Sequence, residues 1–111
     1  MDTQQMILNT CPDSDTAESI ATLLVDRALA ACVNILPEVR SVYQWQGERH
    51  CDAEVLLLIK ASASAYQDIE ATIRENHPYQ LPEIIAIPID TGLPEYLAWI
   101  QQQSHARETD R

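Results

Sequence analysis

Between Cys32 and Gln46 the side chains change character at every second residue. Val33, Ile35, Val39, Tyr43 and Trp45 fall on one parity, and Asn34, Glu38, Arg40, Gln44 and Gln46 on the other. A period of two predicts a strand with one buried face. Fifteen extended residues at about 3.3 Å each reach roughly 50 Å. A compact domain of this chain's length has a radius of gyration near 13 Å, hence a diameter of roughly 35 Å. The strand is therefore too long for its own core. Gln46-Gly47-Glu48 is a tight turn, with Gly47 accepting positive φ. The chain then returns through Glu54-Val55-Leu56-Leu57-Leu58-Ile59-Lys60, apolar through its middle as in a strand covered on both faces. The hairpin is expected to overhang, leaving Val39, Val42, Tyr43 and Trp45 uncovered unless another subunit pairs with them. Pro37 predicts an edge position or a bulge; a sharp bend there, folding the hairpin back, is the competing outcome.

The rest of the chain supplies a frame for this hairpin. Met6-Ile7-Leu8 is a short first strand. Asp15 with Glu18 reads as a capping box opening a helix over 15–30, with Ala17, Ile20, Ala21, Leu24, Val25 and Ala28 on its stripe. Ser64-Ala65-Tyr66-Gln67 reads as a second capping box, for a helix that carries Ile69 and Ile73 to about Asn76 and stops at Pro78. Residues 83–89 form a fourth strand. Gly92 and Pro94 open a short helix with Leu97 and Ile100. The order βαββαβ plus a C-terminal helix predicts an α+β, ferredoxin-like antiparallel sheet with a long central hairpin. Residues 1–102 make one domain, and 103–111 a polar, frayed tail.

Composition excludes several function classes. The 111 residues carry 7 basic and 17 acidic side chains, a net charge of −10. That argues against a nucleic-acid partner and against an anionic membrane surface. No apolar run reaches the roughly 20 residues of a membrane span, and the N-terminus shows no signal core. A cytoplasmic protein is expected. Cys11, Cys32 and Cys51 fit neither a disulfide framework nor a zinc knuckle. Two glycines leave no room for a phosphate loop, and no nucleophile–base pair appears. An enzyme is not expected.

Five blocks in order carry a resemblance: Ala31-Cys32-Val33-Asn34-Ile35, Tyr43-Gln44-Trp45-Gln46-Gly47, Glu54 to Lys60, His77-Pro78-Tyr79-Gln80-Leu81-Pro82-Glu83, and Tyr96-Leu97-Ala98-Trp99-Ile100. Over residues 6–102 the chain closely resembles the CutA family, the divalent-cation tolerance proteins. The resemblance implies a homotrimer joined through the long hairpins, a role in tolerance of copper and other divalent metals, and Cu(II) or another divalent cation as a ligand not tightly held. By analogy with PII-type trimers it also implies an alternative, a signalling or scaffold trimer that binds a small ligand or a protein at its intersubunit clefts.

The candidate metal residues are His77, Glu83 and Cys11. Imidazole suits Cu(II), and the stiff Pro78–Pro82 connection lets His77 and Glu83 face one cavity. Some family members carry a cysteine where Asn9 stands and a histidine where Asn76 stands. Cys11 lies two residues on, the same strand face one step further along. The competing reading makes His77 a structural residue at a helix C-terminus. Cys32 is expected in the core, and Cys51 as a surface thiol beside His50, where a cation binds only adventitiously. Trp45, Tyr96 and Trp99 are expected to pack, Tyr79 either to pack or to line a cleft near His77, and Lys60 to pair with Glu83 or Glu54.

Overall fold

The computed structural model describes residues 2–107. Its elements run β1 (Gln4–Cys11), α1 (Ser14–Asp26), β2 (Cys32–Trp45), β3 (Glu48–Ser62), α2 (Tyr66–Asn76), β4 (Ile84–Pro88) and α3 (Pro94–Gln103). The four strands form one antiparallel sheet in the order β2-β3-β1-β4. This is the expected α+β, ferredoxin-like topology, with β2 and β4 at the edges.

One face of the sheet lies under α1 and α2. Ile7 of β1 and Leu57, Ile59 and Ala61 of β3 pack there against Ile20, Leu24, Ile69 and Ile73, all essentially excluded from solvent. The other face carries Met6, Leu8, Leu56 and Leu58, each only half-buried, and the exposed Ile85 and Ile87. Register places these together: Leu8 lies between Leu58 and Ile85, and Met6 between Lys60 and Ile87. Part of this second face meets α3, where Gln101 Oε1 accepts from Gln4 Nε2 at 2.6 Å and Tyr96 lies 5.8 Å from Lys60 Nζ.

The hairpin overhangs as expected. The molecule is 43 Å along its longest axis, and β3 is buried only from Glu54 onward. The chain does not fold back at Pro37. Both anticipated devices occur: β2 is an edge strand, and Pro37 and Glu38 together oppose Val55 as a bulge, with Glu38 at φ 65°. Gln46 and Gly47, at φ 53° and 82°, form the two-residue turn.

The bulge corrects the expected single buried face. Before it, Val33 and Ile35 pair with Ile59 and Leu57, on the helix side. After it, Val39, Ser41, Tyr43 and Trp45 pair with Glu54, Asp52, His50 and Glu48, on the opposite side. One extra residue turns the odd positions over. No residue of β2 is fully buried.

Several local expectations also change. The cap of α1 is Asp13, whose Oδ1 accepts from the Thr16 N–H at 2.8 Å, and not Asp15. The helix stops four residues earlier than its stripe suggested. Leu29 N–H reaches Leu24 O and Ala28 N–H reaches Val25 O, a Schellman closure with Ala28 at φ 58°. Ser64 caps nothing with its own side chain; Asp2 accepts from its N–H and hydroxyl at 3.0 and 2.6 Å. The expected fraying of the tail from residue 103 does not hold for residues 103–107. Ser104 is buried, donates to Leu29 O and accepts from the Ser62 N–H; the Arg107 N–H reaches Asp68. The remainder of the expected tail, 108–111, lies outside the described residues.

Candidate functional site

The connection between α2 and β4, residues 77–83, wraps around the C-terminal end of β1 and closes a cleft on the second face of the sheet. Three hydrogen bonds fix it. His77 Nε2 lies 2.8 Å from the Thr10 carbonyl, so this nitrogen carries the proton and donates. Asn9 Nδ2 donates to the Glu83 carbonyl at 2.9 Å. Tyr79 Oη donates to Glu54 Oε2 at 2.6 Å. The resulting cleft has a volume of ≈ 500 Å³. Thr10, Ser41 and Glu54 come from its strand floor, Tyr43 and Trp45 from the overhanging hairpin, and Leu81 and Glu83 from the loop. Only because the bulge inverts β2 do Ser41, Tyr43 and Trp45 face this side.

The three candidate metal residues end in different situations. His77 is buried at the end of α2. Its Nε2–H is committed to Thr10, and its Nδ1 accepts from the Tyr79 N–H at 3.2 Å. Cys11 is buried on the helix side and donates to Asn9 Oδ1 at 3.4 Å. Burial first, then the nearby charges of Asp13 and Glu54, pushes its thiol up to about 11, so it is no thiolate at neutral pH. The register confirms that Asn9 and Cys11 share a face. Glu83 is exposed and lines the cleft, and its backbone rather than its carboxylate is engaged. Among the described residues no three His, Cys, Asp or Glu side chains come together as a metal-holding group. The donor set of a single chain therefore does not fit a closed metal site.

Other expectations are settled by position. Lys60 pairs with neither glutamate: its ammonium donates to Asn34 Oδ1 at 2.7 Å and lies over Tyr96. Cys32 is half-buried rather than core, and Cys51 is exposed, its sulfur 3.7 Å from Arg40 Nη2. Tyr79 does line the cleft. Burial, and then its bond to Glu54, raise its hydroxyl pKa. Sequence reasoning gave Glu54 no role here. It opens an apolar run, yet its side chain points away from the helices and is only 7 % exposed. An acidic residue at the start of a buried strand, opposite Val39, was the available signal.

Comparison with known proteins adds the lineage. The family described as CutA1 divalent ion tolerance protein matches residues 5–103. The chain belongs to the CutA family. It is 43% identical over 101 residues to the divalent-cation tolerance protein CutA of Thermus thermophilus, covering 91% of this chain and 98% of that protein. It is 42% identical to mouse Protein CutA over 84% of this chain, but spans only 52% of the mouse protein. Among solved structures, CutA from Xylella fastidiosa superposes with a TM-score of 0.90 at 43% identity, covering 93% of this chain and 99% of that one. A PII-like protein CutA from Nostoc, in apo form, superposes at 0.86 with 37% identity, covering 93% and 99%. Relatives named chloroplastic, from Arabidopsis thaliana, and periplasmic, from Archaeoglobus fulgidus, show that the family occupies more than one compartment. Among the described residues of this chain no helix is long and apolar enough to cross a membrane.

Proposed function

We propose that this chain acts as a trimer in the cellular response to divalent cations, binding rather than catalysing, in the cytoplasm. The observation that carries the assembly is the second face of the sheet. Leu8, Leu56, Leu58, Ile85 and Ile87 give it the chemistry of a core, no helix among the described residues covers most of it, and an overhanging hairpin with an open β2 edge stands beside it. Covering this face with further copies removes an aggregation hazard and buries apolar area at about 25 cal/mol per Å². The cation reading is supported by the family membership and by a net charge of −10. A Cu(II) contact is weak on this reading. Glu83 offers its carboxylate freely, His77 serves through Nδ1 only by releasing the Tyr79 amide, and Cys11 stands aside. The imidazole is already oriented for that role by its bond to a backbone carbonyl.

Two measurements test it. Light scattering is expected to give the mass of three chains. Calorimetry with Cu(II) is expected to give weak binding that falls further in Glu83→Gln. A monomer, or Cu(II) binding indifferent to both Glu83→Gln and His77→Ala, contradicts the respective half. A second reading, a small-ligand sensor, is favoured by the cleft itself and by the likeness to the PII-like Nostoc relative.

A further inference from the structure

The floor of the cleft has a chemistry that the Cu(II) reading, which rests on His77 and Glu83, does not use. Glu54 sits in its floor with 7 % of its surface exposed. One carboxylate oxygen, Oε2, accepts from Tyr79. The other has no partner among the described residues, and it is not sealed away: the one sealed, unpartnered side-chain polar atom among them is Gln5 Oε1. Among the described residues no basic side chain lines the cleft. A buried carboxylate with a free oxygen facing a cavity, and no cation beside it, is an incomplete arrangement, because a buried charge needs a partner.

The surroundings specify what completes it. Tyr43 and Trp45 from the hairpin and Tyr79 from the loop supply aromatic surfaces, whose faces attract cations. Ser41 and Thr10 bring hydroxyl groups to the same floor. An octahedral metal aqua-ion wants more carboxylates than Glu54 and Glu83 supply, and no aromatic wall. A guanidinium wants a fork of two free carboxylate oxygens, and Glu54 has one. A primary ammonium has three donors on a tetrahedral nitrogen and a hydrocarbon tail; it matches one carboxylate oxygen, neighbouring hydroxyls and an apolar exit past Leu81.

We propose that the cleft binds the ammonium head of a primary aliphatic amine, with Glu54 as its counter-charge and its alkyl tail against Trp45 and Leu81. The site stands on the cleft alone and not on the divalent-cation reading, so either is open to failing without the other. The protein's negative field adds attraction at a distance.

The test is calorimetric titration of the intact protein, in whatever assembly it adopts, with n-butylammonium chloride and with n-butanol as the neutral control. Saturable binding at one per chain, millimolar or tighter, is expected for the amine and none for the alcohol. Glu54→Gln keeps an acceptor for Tyr79 and removes the charge; its affinity is expected to fall about tenfold or more, as for loss of a charge-assisted hydrogen bond. Leu81→Lys changes a residue that is 70 % exposed, so the fold tolerates it. It places a tethered ammonium at the cleft and is expected to compete with the added amine, which keeps the test decisive if Glu54→Gln fails to fold. Equal binding of amine and alcohol, unaltered binding in these variants, or no saturable binding because a neighbouring copy fills the cleft would overturn the proposal.

Discussion

The two faces of the sheet are built from the same residue types and meet different fates. On β3, Leu57 and Ile59 point under the helices and are fully buried, while Leu56 and Leu58, one residue away on the same strand, remain half-buried. β1 repeats the contrast, with Ile7 sealed and Met6 and Leu8 not. Hydrophobicity along these strands therefore encodes two cores. One is completed within the chain by α1 and α2, and the other is left largely open by them. A strand apolar on both parities says that both faces will be covered but not by what.

The contrast can be broken from either side. Leu57→Ala should cost about 2–5 kcal/mol in denaturant unfolding, as a large-to-small change in a sealed core does, and the loss should persist in any monomeric variant. A negligible loss would mean the helix-side face is not the primary core. Ile85→Asp, on the second face, should act differently. The mass by light scattering should drop toward one chain, while the far-ultraviolet circular dichroism stays as before. An unchanged mass would remove this face from the interface.

A third prediction sharpens the contrast through pH. The Cys11 thiol on the helix side is raised from 9.0 to about 11. A raised thiol favours the protonated folded state. Its contribution to stability is complete below pH 9 and is lost as pH climbs through 11. Cys11→Ala should flatten that part of the stability–pH curve; an identical slope in both proteins would argue that the thiol ionises freely in the folded state. The smallest effect concerns the closure of α1. Ala28 holds a left-handed conformation that glycine adopts without strain. Ala28→Gly should stabilise the fold by roughly 0.5–1 kcal/mol, read as a rise in the melting temperature.

Much of this architecture was legible because it is local. Element order, the overhanging hairpin, the Gly47 turn and the disturbance at Pro37 all follow from periodicity and from residues whose backbone preferences are narrow. What escaped was set by partners distant in sequence. Ser64 is served by Asp2, and Ser104 docks polar atoms onto Leu29 and Ser62, so a tail without an apolar stripe is held by hydrogen bonds instead. The single-face reading of β2 failed for a subtler reason. Val33 and Trp45 share odd numbering, but a bulge changes the face without changing the number. The site divides in the same way. His77, Tyr79 and Glu83 announced themselves within and beside the Pro78–Pro82 connection, whereas the role of Glu54 depends on a hairpin residue count that no local pattern records.

The inversion at Pro37–Glu38 also constrains how such a hairpin can drift. Add one residue to each strand between the bulge and the Tyr43–His50 pair and the ladder still closes, but Tyr43 and Trp45 swing to the helix side and the cleft loses its wall. Add two to each and they return. The spacing from the bulge to these aromatics is thus quantised. A descendant chain keeps the cleft only through paired steps of two, or through a lone deletion at the bulge offset by a lone shift elsewhere in the hairpin.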